Sequence, residues 1–147
     1  MRIFLTLGLI CLLFAVTSCE VKPAPINFGT DSCHFCKMTI VDQQHAAQYV
    51  TKKGKQFKFD AVECMLNDLS ENGMENLALL LVSDYVNPGA MTDATKATYL
   101  ISEGIKSPMG ANLSSFSGKA DAEETLKTHG GELYSWEEML RKYQVNG

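Results

Sequence analysis

Only the residues beyond Ser18 are available to fold in this chain, because what precedes them reads as an export signal. Arg2 supplies a positive start, Ile3 to Ala15 is almost entirely apolar, and Val16-Thr17-Ser18-Cys19 places small residues before a break point. The apolar run is about thirteen residues, short of the roughly 18 to 20 a spanning helix needs, so a retained transmembrane anchor is the weaker reading. Removing residues 1–18 leaves 129 of the 147 residues. That is enough for one compact domain, or for two very small units packed together.

The cysteine directly after Val-Thr-Ser also resembles a bacterial lipobox. Such a site implies a diacylglyceryl group on the Cys19 sulfur and acylation of the new amino terminus, and several acyl chains give stable anchoring. A plainly secreted protein cut near Cys19 is the simpler alternative. Residues 19–30 then read as a lipidated tether, since Glu20 to Asn27 holds Pro23 and Pro25 and few large apolar groups. The expected location is the bacterial cell envelope, at the periplasmic face of a membrane or at the outer membrane.

Charge and cysteine content narrow the function. The net charge is −4, and becomes −5 once Arg2 leaves with the signal, which argues against a nucleic-acid partner. Cys11 is lost with the signal and Cys19 becomes a thioether, leaving Cys33, Cys36 and Cys64. Three thiols cannot all pair, and in an oxidising envelope an odd thiol is either a hazard or has a use, of which metal ligation is a common one.

Hydrophobic patterning predicts an α+β chain. Ala46 to Thr51 and Gln56 to Asp60 form a hairpin around Lys52-Lys53-Gly54-Lys55, with Phe57 and Phe59 alternating with Lys58. Asp60 caps a helix from about Ala61 to Ser70, with Glu63 at the capping-box position, and Asn72-Gly73 stops it. Leu77 to Ser83 reads as a buried central strand, and Asp84 to Met91 as a loop between halves. Strand character returns over 96–103 and 113–117, followed by a helix from about Ala120 to His129, a short strand over 133–135 and an amphipathic helix over 136–143 that turns Trp136, Met139 and Leu140 inward. Phe59 and Phe116, and likewise Gly73 and Gly130, stand 57 residues apart, which suggests a repeated strand-strand-helix-strand unit. The halves run from about 31 to 85 and from about 92 to 147.

Cys33-His34-Phe35-Cys36 brings two sulfurs within reach of one ion or one disulfide. A structural zinc module wants four protein ligands, and no second paired motif appears. A thiol redox enzyme wants its Cys-x-x-Cys at a helix N-terminus, whereas Lys37 to Val41 favours a strand. Met38 beside Cys36 and Met65 beside Cys64 tilt the choice toward Cu(I), for which thioether sulfur is a good ligand and for zinc a poor one. Each methionine also has a bland reading as core filler. Met109, between Pro108 and Gly110, sits on a loop where packing explains it less well, and His45 is a weaker imidazole candidate.

Five short motifs in order carry a family resemblance: Cys33-x-x-Cys36-x-Met38-x-Ile40; His45-Ala46-Ala47-Gln48; Lys58-Phe59-Asp60 with Glu63-Cys64-Met65; Thr92-Asp93-Ala94 with Ala97; and Ser107-Pro108-Met109-Gly110. Together they resemble NosL, and the likeness implies a NosL-like domain over 31–147 built as a tandem pair of ββαβ units with a C-terminal helix. It further implies no enzyme but a membrane-anchored Cu(I) chaperone, supplying copper to nitrous oxide reductase and its maturation machinery in denitrification. Carried over position by position, the candidate metal residues are Cys33, Cys36, Met38, Cys64, Met65 and Met109, with His45 weaker and Cys19 the lipidation site. The preferred arrangement has copper in the groove between halves, between Met38 or Cys64 and Met109. A thiol-based enzyme akin to organomercurial lyases, or a zinc module, stands as the alternative.

Overall fold

The computed structural model describes residues 21–146, so the expected signal and the Cys19 lipidation site lie outside the described residues. Strands β1 (Ala47–Thr51) and β2 (Gln56–Phe59) pair antiparallel, Ala47 opposite Phe59 and Val50 opposite Gln56. Gly54 turns the hairpin at φ 83, a left-handed conformation that costs glycine little. Helix α1 (Val62–Asn72) follows and ends at Gly73 (φ 73), whose N–H donates to the Leu69 carbonyl at 2.8 Å. The chain returns as β3 (Leu77–Asp84), antiparallel to β1 with Ala47 opposite Val82.

The second unit repeats this path. β5 (Thr98–Ile101) and β6 (Leu113–Phe116) form a hairpin, α2 (Lys119–His129) ends at Gly130 (φ 68), and β7 (Glu132–Tyr134) comes back beside β5. The strand orders are β2-β1-β3 and β6-β5-β7, the same topology twice. β2 and β6, and α1 and α2, share lengths and lie 57 residues apart at both bounds, as the Phe59–Phe116 and Gly73–Gly130 pairs predict. A last helix, α3 (Trp136–Lys142), is opened by a capping box in which Ser135 Oγ accepts from Glu138 N and Glu138 Oε2 accepts from Ser135 N. Trp136 and Met139 are buried, as its amphipathic pattern predicts, while Leu140 is only partly so.

Four local readings change. The expected loop 84–91 is largely a strand, β4 (Asn87–Asp93), paired antiparallel to β3 at the edge of the first sheet. An edge tolerates Pro88, since a missing N–H is no loss on the unpaired side. Asp60 and Glu63 do not cap α1: its N-cap is Ala61, with no side-chain cap. The strand expected after Cys36 reduces to a single bridge between Ser32 and Thr39. The supposed tether is part of the fold from Lys22 onward. Gln56 Nε2 donates to Lys22 O at 3.0 Å, Ala24 N donates to Gln56 Oε1 at 3.1 Å, Gln48 Nε2 to Ala24 O at 2.9 Å and Lys58 Nζ to Pro25 O at 2.7 Å. Ile26 and Phe28 pack against the core.

One hydrophobic core crosses the two units, joining Phe59, Val62, Met65, Leu66 and Leu69 to Tyr99, Leu113, Trp136 and Met139. Hydrogen bonds clamp the junction: Tyr85 N to Ser115 O at 2.8 Å and Ser115 Oγ to Ser83 O at 2.7 Å. This shared core fixes the start of α1 against the second unit's loops, where the candidate site lies. Among the described residues no helix is long and apolar enough to cross a membrane.

Candidate metal centre

Cys33 and Cys36 lie in a tight knuckle between Ser32 and Thr39. Cys33 N donates to Met38 O at 2.8 Å and Lys37 N to Cys33 O at 3.1 Å, with Lys37 in the left-handed region at φ 67. This winding aims backbone donors at sulfur: the N–H of Cys36 and that of Asp60 favour the Cys33 thiolate, and the N–H of Met38 favours that of Cys36. His34 N donates to Lys58 O at 2.7 Å, which docks the knuckle on the far end of β2. There the chain passes through Asp60 into α1, and Asp60 and Cys64 follow one another at i,i+4 spacing.

The two segments meet. One ligand atom from each of Cys33, Cys36, Cys64 and Asp60 lies within 4.8 Å of all the others. Cys33 and Cys64 are fully buried and Asp60 nearly so, while Cys36 is half-buried and gives the cluster its contact with solvent. All three cysteines are free thiols, and the Cys36 thiol donates to Asp60 Oδ1 at 3.3 Å.

The cluster shares its protons unequally. A hydrogen bond from the Cys64 thiol, aided by backbone N–H groups, outweighs burial and brings Cys33 down to about 6 from the ordinary 9.0. Donating that bond, together with burial and the nearby Asp60 carboxylate, pushes Cys64 well up. Burial, followed by Cys33 and Asp60, pushes Cys36 up to about 11. The metal-free cluster therefore favours the thiolate form at Cys33 and the thiol form at Cys36 and Cys64. A thiophilic cation binding all three sulfurs displaces two protons.

The remaining sequence candidates are dispersed. Met65 is fully buried in the hydrophobic core. It follows Cys64 in sequence, but on a helix the next residue turns about 100° away. Met38, on the knuckle, and Met109, on the loop after Pro108, are exposed at 55% and 42%. His45 is buried with both ring nitrogens engaged, Nδ1 with Asp42 Oδ2 at 2.8 Å and Nε2 with Ser114 Oγ at 3.2 Å, so it ties β1 to β6. The sequence presents Asp60 as a helix cap, although its spacing to Cys64 is a usable signal.

The Met109 loop is nonetheless tied to α1. Ser107 Oγ donates to Glu63 Oε1 and accepts from Asn112 N at 2.8 Å. Glu63, one residue before Cys64, is buried, and burial raises its carboxyl above the ordinary 4.5 against the pull of the Ser107 hydroxyl and His45. Burial, followed by the charges of Glu63 and Cys64, pushes Tyr143 of the C-terminal segment up to about 12, and its ring packs against the core.

The sequence profile of the NosL family matches residues 25–144, most of the chain. The chain belongs to the NosL family. The copper-binding lipoprotein NosL of Stutzerimonas stutzeri is 33% identical over 150 residues, an alignment spanning 91% of this chain and 78% of that protein. The crystal structure of the copper chaperone NosL from Shewanella denitrificans superposes with a TM-score of 0.71 at 24% identity, covering 81% of this chain and 96% of that one. The shared fold is thus the NosL fold, α+β with antiparallel sheets. In this member of the NosL family, three thiols and a carboxylate converge where β2 hands over to α1.

Proposed function

We propose that this protein is a Cu(I)-binding metallochaperone of the bacterial envelope, held at a membrane by lipid on Cys19, which passes copper to nitrous oxide reductase during its assembly. The observation that carries the reading is the convergence of Cys33, Cys36 and Cys64 with one sulfur at the surface. Cu(I) is a soft, closed-shell cation that accepts two to four soft donors, and a pre-formed thiolate at Cys33 gives it a first strong partner. Copper is cargo, and nothing on it is oxidised or reduced. Cys36, Met38 and Met109 are the accessible sulfurs through which an ion is taken up or handed on by ligand exchange. Cys33 and Cys64 hold it between transfers. The names of the Stutzerimonas and Shewanella relatives support copper as the cargo.

Asp60 favours one second reading. With it the donor set reaches Cys3Asp, the four ligands a zinc site wants. The two readings separate in a competition titration of the reduced protein with Cu(I) and Zn(II) against calibrated chelators. The chaperone reading expects Cu(I) to be held far more tightly, with loss of binding in Cys64→Ser. A preference for zinc would sink it. The recipient is tested by mixing the copper-loaded protein with copper-free nitrous oxide reductase and following the reductase's copper absorption, which stays flat if the recipient is wrong.

A further inference from the structure

The chain carries a net negative charge, yet lysines gather at one end of the first sheet. The β1–β2 turn presents Lys52, Lys53 and Lys55, all exposed. Lys22 joins them through the docked N-terminal segment, because a single nitrogen, Gln56 Nε2, donates both to Lys22 O at 3.0 Å and to Gly54 O at 3.3 Å. Lys52 Nζ is steadied by the Glu75 carbonyl at 2.7 Å and Lys55 Nζ lies 4.7 Å from the Phe57 ring centroid. Glu75, whose carbonyl takes that bond, is itself exposed.

The path of the chain fixes where this patch stands relative to a lipid on Cys19. Lys22 lies three positions after Cys19, at most about 11 Å of extended backbone. From Lys22 the segment is bonded along β1 and β2 to Gln48, Gln56 and Lys58, so the domain has little freedom to swing about its anchor. The sulfur cluster lies at the other end of β2, where His34 N meets Lys58 O and Asp60 begins the turn into α1. Four residues of strand separate the two ends, roughly 13 Å at strand rise.

We infer that the Lys22, Lys52, Lys53 and Lys55 patch is a docking surface for anionic phospholipid, which seats the domain hairpin-first on its own membrane and turns the sulfur cluster away from the bilayer. The inference rests on the lipid-anchor reading and extends it from attachment to orientation. Juxtamembrane lysines are drawn to anionic headgroups within a Debye length, a range the short link guarantees. The net negative charge of the chain is repelled by the same headgroups, which favours a pose led by this patch. The centre thus faces partners in the aqueous space instead of lipid.

The test uses the full lipidated chain in vesicles of phosphatidylcholine alone or with phosphatidylglycerol added, and reads amine acetylation of each lysine by mass spectrometry. The expected result is labelling of Lys22, Lys52, Lys53 and Lys55 slowed about threefold or more in anionic vesicles only, with high salt reversing it. Lys96, Lys119 and Lys127, exposed elsewhere, should label equally in both. Equal labelling of the four lysines in the two vesicles, or protection centred on another face, overturns the proposal. No substitution is needed, so misfolding cannot obscure the reading. The intact mass of the envelope-expressed protein checks the anchor separately: missing acyl mass refutes the anchor and this orientation together, while acyl mass with unprotected lysines refutes the orientation alone.

Discussion

Removing the Ser107 hydroxyl tests whether its link to Glu63 holds the Met109 loop to α1. In Ser107→Ala the buried Glu63 carboxyl loses its side-chain donor and Asn112 N loses its acceptor. Glu63 is 2% exposed and its Oε2 has no protein partner, so neither oxygen is easily rescued by water. A hydrogen bond to a charged group contributes about 1.5–3 kcal/mol, and the half-buried N–H left without a partner places the loss in the upper part of that range, roughly 2–3 kcal/mol. For a domain of this size Tm should fall by about 6–12 °C.

The pH profile sharpens the same test. The Glu63 carboxyl is raised by burial, so its contribution to the stability of the metal-free protein is fully present below the unfolded value near 4.5 and is lost as pH rises through the folded value. The Ser107 hydroxyl opposes that rise, so in Ser107→Ala the limb should move to higher pH. Glu63→Gln should abolish this limb and make the Ser107→Ala loss smaller than in the parent, because the partner is no longer a charge. Differential scanning calorimetry from pH 4 to 8 reads all three. A Ser107→Ala variant within about 0.5 kcal/mol of the parent, or strict additivity with Glu63→Gln, would show that the link contributes nothing.

Three further outcomes follow from the site. Met109→Leu, which keeps volume and removes only the thioether, should weaken Cu(I) severalfold while sparing Tm, whereas Met65→Leu in the core should leave Cu(I) affinity unchanged; chelator competition and thermal melts distinguish them. With Cys33 depressed to about 6, its thiolate contributes stability present above the unfolded value near 9 and lost as pH falls through 6, so metal-free Tm should rise across that window and flatten in Cys33→Ser. His45→Ala removes the link between Asp42 and Ser114 and should cost about 2–3 kcal/mol in denaturant melts without changing Cu(I) affinity; a large loss of affinity would restore His45 as a ligand.

The repeat was legible because a buried phenylalanine ends each second strand and a glycine stops each helix, and both demands are local. β4 was not, because Pro88-Gly89 signals a turn in sequence and only the edge position makes it harmless in a strand. The docked N-terminal segment was invisible for a similar reason. Its backbone is satisfied by side chains of Gln48, Gln56 and Lys58, partners that no local pattern announces. The three cysteines were evident from the start, but sequence adjacency overvalued Met65, since neighbours on a helix point apart. Asp60 was undervalued because a carboxylate before a helix has a simpler use. Only the meeting of the knuckle with α1 reveals its second neighbourhood.

The register between the two units carries a lesson about origin. Ser117 and Asp121 occupy in the second unit the places that Asp60 and Cys64 hold in the first, and Ala122 is buried where Met65 is. The second unit keeps the scaffold without a thiol, since no cysteine lies beyond residue 64. The clustered thiols thus sit in the knuckle before β1 and on α1, with Asp60 just ahead of that helix, at places where the second unit has no cysteine. The second unit is a natural blank, on which transplanting those few residues would ask how little a fold must change to acquire a metal.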